Sequence, residues 1–339
     1  MQQAIDTREL IEVEVLGLRL RGTFHRPAGP CAEPFSVIRP GSGQQGRTAV
    51  LFLNSLALPR AATGDSAVYW AEAFSNRGYP AFRFDLPGLG DSEGEASTDL
   101  LDFINAGGYA PSTAALAKEL AARNGISGVV IIGHCAGSVS AVFAAAACKE
   151  CKGLILMDPY FHLPVAKRPE VREHLSDWVR RSSIGGMLSN LYDRAKLLRL
   201  FLRGRTPPGN ANLTLLTRWK QVAAAGLPIL MFKAPGIKAS ACKPRLGEFD
   251  YIQHVLKLAG RKSRVILKTV ETADHSFANR AGREVVRQEI ESWLVNYFPL
   301  QGFESSAQPA PLSSVKTRQS ESTRKSMPSS SHDCALEGR

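Results

Sequence analysis

Apolar positions along this chain recur in two rhythms. Short unbroken apolar runs at 49–54 (AVLFLN), 81–84, 129–133, 153–157, 228–232 (PILMF) and 263–270 (SRVILKTV) have the length and β-branched content of buried strands. Between them, 68–77, 113–124 (TAALAKELAARN), 251–259 and 284–297 space their apolar residues as helices with one greasy face do. Residues 10–25 instead alternate apolar with polar around Gly17, the pattern of a hairpin at a sheet margin. Glycine and proline supply the punctuation: GYP at 78–80 ends a helix, DLPGLGDSEG at 85–94 turns the chain back, and Gly125 stops another helix. Strands alternating with helices behind an antiparallel margin predict an α/β architecture, a mostly parallel sheet with helices on both faces.

The stretch 128–148, GVVIIGHCAGSVSAVFAAAAC, organises the whole. Its β-branched start reads as a strand, its Ala-rich end as a helix, and Gly-His-Cys-Ala-Gly as the sharp turn between them. The form G-x-C-x-G is a nucleophile elbow with cysteine where serine is usual. Glycines at 133 and 137 are what a strained backbone at Cys135 requires, because side chains there would collide with the neighbouring turn. The stretch carries no charged residue, so a membrane span was weighed against it; the glycines, His134 and serines at its centre favour a buried strand, turn and helix.

Composition narrows the class. The chain has 339 residues, 44% of them hydrophobic, and its first residues hold no apolar core of the kind a secretory signal needs, so a cytoplasmic protein is expected. Six irregularly spaced cysteines make no disulfide framework, and Cys148 and Cys151 in an isolated CKEC read as a helix end rather than a metal or redox site. No metal or cofactor is expected. Residues 160–226 show no strand pattern, only helical runs broken at Pro169, Gly185 and Pro207, and 160–220 hold twelve Lys or Arg against four acids. Most of the net charge of +11 is therefore concentrated in one insertion, which reads as a lid. No nucleic-acid motif accompanies it. Beyond Pro299 the chain turns to Ser, Pro and Gln, so 301–339 is expected to be disordered. The expected organisation is a core over 1–159, a helical lid over 160–226, the rest of the core over 227–300, and a tail.

The elbow GHCAG, the turn DLPGLGDSEG and the segment ADHSF at 273–277 together resemble the α/β-hydrolase superfamily over residues 8–298. The cysteine elbow is similar to that of dienelactone hydrolases; the DLPGLGDSEG turn and the lid position look more like serine esterases and aminopeptidases. The resemblance implies acyl transfer through nucleophile, acid and histidine in that chain order. Cys135 and His275 match the first and last. A thiol at a helix N-terminus beside an imidazole is placed to ionise. The backbone N–H of Ala136 follows the nucleophile and offers one oxyanion donor; the resemblance assigns a second to Leu56. The acid stays open. The loop after PILMF has no early carboxylate, its nearest being Glu248 and Asp250, while Asp158 after the preceding strand is an alternative that some relatives use. Asp250 is taken first, although it also reads as a helix cap.

The expected function is thus a hydrolase or acyltransferase for an ester, thioester or lactone, working through a covalent acyl-enzyme on Cys135. The competing reading is a hydrolase-fold protein without catalysis, binding a small anionic ligand or partner under the lid. The lid's charge points to an anionic or carrier-bound acyl substrate. KM is accordingly expected to rise with ionic strength and in Arg180→Glu and Arg181→Glu, measured by steady-state kinetics from low to high salt.

Overall fold

Along each central strand the side chains alternate between two separate apolar clusters. Ala49 and Leu51, Val129 and Ile131, Leu154 and Leu156, and Ile229 and Met231 enter one cluster. Val50 and Phe52, Val130 and Ile132, Ile155 and Met157, and Leu230 and Phe232 enter the other. A strand buried on both faces must be apolar at every position, which is why these segments read as unbroken runs rather than alternations. The computed structural model describes residues 7–28, 35, 46–123, 126–164, 207–235 and 249–300.

Eight strands form one sheet: β1 (Arg8–Val15), β2 (Leu18–His25), β3 (Arg47–Phe52), β4 (Ala81–Phe84), β5 (Ile126–His134), β6 (Cys151–Met157), β7 (Ile229–Lys233) and β8 (Val265–Thr269). Their order is β1-β2-β4-β3-β5-β6-β7-β8. β1 and β2 pair antiparallel, β2 meets β4 antiparallel, and every later pairing is parallel. The margin strand β1 exposes Glu12 and Glu14 and buries Ile11, Val13 and Val15, as its alternation predicts. Charges on its outward face also discourage pairing with another sheet edge.

One face of the sheet is covered by α3 (Ala110–Ala121) and α4 (Ala136–Ala147), whose Leu116, Leu120, Val139 and Val142 join the first cluster. The other carries α1 (Ser66–Asn76) and α7 (Arg280–Tyr297), which contribute Trp70, Phe74, Ile290 and Trp293. A short helix not foreseen from the pattern, α2 (Leu100–Asn105), starts where the Asp99 carboxylate accepts a hydrogen bond from Asp102 N at 3.1 Å.

Helix α5 (Leu213–Ala224) falls within the segment expected to be lid. It buries Leu215, Leu216, Trp219 and Val222 in the same cluster as β5, so its face is spent on the core rather than on a detachable cover. Trp219 is fully buried, its indole N–H donates to Val255 O of α6 (Tyr251–Ala259) at 2.8 Å, and Phe161 meets its ring edge-on. Residues 165–206, which hold most of the basic cluster including Arg180 and Arg181, lie outside the described residues, as does the tail over 301–339. Trp219→Ala should therefore cost about 3–5 kcal/mol of global stability, read as a shift of the urea midpoint. A lid element would unfold without moving that midpoint.

Candidate active site

The backbone at Cys135 is strained and the surroundings explain how it is held. Its φ of 50° and ψ of −114° lie outside the ordinary regions, at a cost on the order of 1–3 kcal/mol. Cys135 N–H donates to Met157 O at 2.9 Å, and the Ser138 hydroxyl donates to Gly133 O at 2.7 Å, closing the turn from both sides. A Cβ at position 133 would stand 2.2 Å from Gly137 O, and one at 137 would stand 2.7 Å from Asn54 O. Both contacts are with backbone, which cannot give way. Only glycine lets β5, the start of α4 and the segment after β3 approach this closely.

That segment is staked by a buried carboxylate. Asp85 is fully buried and accepts from Asn54 Nδ2 at 2.9 Å, Arg60 N at 2.9 Å and Arg60 Nη1 at 2.5 Å. Asn54 returns its Oδ1 to Leu86 N at 2.9 Å and its second amide hydrogen to Leu58 O at 2.8 Å. Residues 54–60 are thereby fixed to the end of β4, with Leu56 between the stakes. Leu56 has φ 54° and an exposed side chain, so what it offers the site is its backbone. Ala136 is the first residue of α4, where N–H groups have no partner inside the helix.

On the opposite side stands His275. Its Nδ1 lies 2.5 Å from Asp158 Oδ2, and the Cys135 side chain is near enough to the same imidazole to help raise its pKa. Asp158 is the first residue beyond β6; its N–H donates to Phe232 O at 2.8 Å, and its φ of 47° turns the carboxylate from the sheet rim toward the histidine. Asp250, the first choice from sequence, is not brought to His275: it caps α6, accepting from Gln253 N at 2.9 Å. Glu248 lies outside the described residues. Asp274 next to the histidine accepts from the Ser276 hydroxyl at 2.7 Å instead.

Sequence reasoning passed over His134. Its Nε2 is 2.7 Å from His275 O, its ring lies 5.0 Å from the His275 ring, and burial pushes its pKa down. A neutral imidazole facing a carbonyl must carry the proton on that nitrogen and donate it. His134 thus ties the loop bearing His275 to the strand bearing Cys135. Of the seven non-glycine residues with positive φ among the described residues, Leu56, Cys135, Asp158 and Phe277 all belong to this constellation. Such strain persists where surrounding structure over-determines it, as at functional sites.

The CKEC pair contributes nothing here. Cys148 caps α4 and Cys151 opens β6, and burial raises both thiols, Cys151 to about 12. A thiol kept protonated is a poor nucleophile and metal ligand.

Residues 50–288 match the family model described as "Alpha/beta hydrolase family". The chain belongs to that family. No curated protein matches it. Among solved structures, an esterase from Pyrococcus furiosus superposes with a TM-score of 0.54 at 14% identity, covering 86% of this chain and 91% of the other. DcsB in complex with its substrate analogue gives 0.52 at 14% identity, with 86% and 99% covered. Est1E from Butyrivibrio proteoclasticus with bound ferulic acid gives 0.51 at 14% identity, with 85% and 98% covered. At such identities the likeness concerns the fold. This α/β-hydrolase has no helix among its described residues long and apolar enough to cross a membrane.

The pKa of His275 is raised to about 10, first by its hydrogen bond to Asp158 and then by Cys135. A raised imidazole pKa means that the protonated form gains from folding. The gain is complete below the free imidazole range near 6.5 and is lost as pH climbs through about 10. Asp158→Asn removes the larger cause, so the His275 titration followed by imidazole NMR should fall toward the free range.

Proposed function

We propose that this α/β-hydrolase catalyses acyl transfer from an ester, thioester or lactone, with Cys135 as nucleophile, His275 as proton carrier and Asp158 as the group that orients it. The observation that supports the reading best is the hydrogen bond between His275 and Asp158 on the side of the imidazole's loop that neighbours Cys135 on its strained elbow. The non-catalytic reading draws on the cysteine in the elbow and on the missing carboxylate after β7; the Asp158–His275 hydrogen bond supports the catalytic one.

In this reading the Cys135 thiol gives its proton to His275, its sulfur attacks the carbonyl carbon, and the π electrons move onto the carbonyl oxygen. The N–H groups of Ala136 and Leu56 receive the resulting oxyanion. His275 then gives its proton to the departing oxygen or sulfur, the C–O or C–S bond breaks, and a thioester to Cys135 remains. Water, or an acceptor alcohol in the transferase variant, loses a proton to His275 as it attacks the thioester, and the thiol is released. Asp158 holds the imidazole tautomer throughout. A cysteine enzyme depends on that help less than a serine enzyme, because thiolate and imidazolium can already be paired before substrate arrives.

Cys135→Ala and His275→Ala are each expected to lower turnover of p-nitrophenyl esters, acyl thioesters and lactones by at least ~10³-fold. Intact-protein mass spectrometry should show an acyl adduct on Cys135 in the wild type. Unchanged turnover in both variants rules the assignment out.

A further inference from the structure

At the same rim of the sheet as the candidate active site, a second cleft is open to solvent. It lies between the ends of β6 and β7 and the start of α6, and holds about 180 Å³. In an open α/β sheet this carboxyl rim is where ligands bind. None of Cys135, His275 and Asp158 lines the cleft, so the catalytic scheme above makes no use of it.

Its walls combine an apolar row with a charge. Tyr160, His162, Tyr251 and Phe249 follow one another ring to ring, with centroids 5.6, 5.3 and 4.9 Å apart. Such separations are those of favourable aromatic pairs. Yet none of the four is buried: His162 is exposed and the other three are half-buried. The row is also held in place. His162 pairs with Ala211 as an isolated antiparallel bridge, the Tyr251 hydroxyl donates to Asn210 Oδ1 at 3.4 Å, and Asn210 Nδ2 donates to Leu163 O at 3.0 Å.

Lys233, the last residue of β7, lines the same cleft, and its side chain makes no ion pair or hydrogen bond with any described residue. Asp250 is the one acid on the described walls, and its carboxylate is taken up by Gln253 N at 2.9 Å as the cap of α6. A cationic ligand would therefore meet Lys233 and find the carboxylate already engaged. An anion would find its counter-charge free.

We propose that this cleft is a binding site for a small aromatic carboxylate, its ring laid against the row of Tyr160, His162 and Tyr251 and its carboxylate paired with Lys233. The volume suits one ring, since an apolar cavity of about 150 Å³ takes up benzene. A mostly apolar concavity with one convergent charge is the usual form of a small-molecule site. The ligand is held there and not turned over, whether or not Cys135 is a nucleophile.

Benzoate is titrated into the full-length protein at neutral pH by saturation-transfer NMR. Beside it run benzamide, which keeps the ring without the charge, and cyclohexanecarboxylate, which keeps the charge without the aromatic ring. So small a ligand in an open cleft should give benzoate a Kd on the order of 1 mM. Each analogue should bind at least ~5-fold more weakly. Lys233→Met should weaken benzoate by at least ~5-fold and leave benzamide as it was, Tyr251→Leu should weaken both, and Cys135→Ala should change neither. Thermal melts check that each variant folds, and Lys233→Gln replaces Lys233→Met if that variant does not. Benzoate that binds no better than its analogues overturns the proposal, because no aromatic anion is then recognised. Equal affinity in the Lys233 variant, or affinity lost in Cys135→Ala, overturns it by placing benzoate elsewhere. Absence of benzoate binding up to about 10 mM overturns it too. None of these results alters the turnover expected of the Cys135 and His275 variants.

Discussion

The site depends on how closely three pieces of backbone can approach one another. The first turn of α4 is pressed against β5 at Gly133 and against the segment after β3 at Gly137, with room for hydrogen but not for carbon at either point. This approach forces the chain through the unfavourable dihedrals of Cys135 and lifts the thiol above the sheet rim. It also lays Asn54, Ser55 and Leu56 alongside the helix start, where unpaired N–H groups and the helix dipole favour negative charge. The thiol, the helix terminus and the backbone after Ser55 thus share one steric cause.

A close approach is only as useful as the rigidity of what approaches. Asp85 provides that rigidity by a costly route, since a carboxylate with no solvent contact must be matched by donors on every side. Arg60 neutralises it, Asn54 and two backbone N–H groups complete it, and Gly90 leaves it space, for a Cβ there would stand 2.3 Å from the carboxyl carbon. The turn DLPGLGDSEG is therefore more than a return across the sheet. Its first residue anchors the loop after β3, and its glycines permit the anchor. Removing one partner of such a network leaves a buried charge uncompensated, which costs more than the network's net contribution.

The strands, the elbow and His275 were legible in the sequence because each is a local matter: a run of β-branched residues, a glycine spacing, a histidine just past the last strand. The acid was not. β6 and β7 end side by side, with Met157 opposite Phe232, so a carboxylate on either rim can reach the same imidazole, and linear order cannot choose between them. A helix cap and a catalytic carboxylate look alike in one dimension, and Asp250 is held in the structure as a cap. The amphipathic period of α5 says only that one face is buried, not against what. His134 carried no signal, since its contact with His275 is made more than a hundred residues away.

Placing the carboxylate on β6 changes how much of the reaction geometry is open to error. Cys135 ends the hydrogen-bonded ladder on one strand, Asp158 ends it on the next, and the amide of the first is bonded to the residue preceding the second. Their separation is therefore a property of strand register, with His134 opposite Met157, rather than of any loop's conformation. A slip of one residue would carry the acid about 3.3 Å along the sheet and swing it to the other face. Register in a sheet buried on both sides is among the most stringently specified quantities in a fold, so two of the three groups are spaced to the tolerance of the core itself. A carboxylate set beyond β7 would lack this direct tie to the register of β5 and β6.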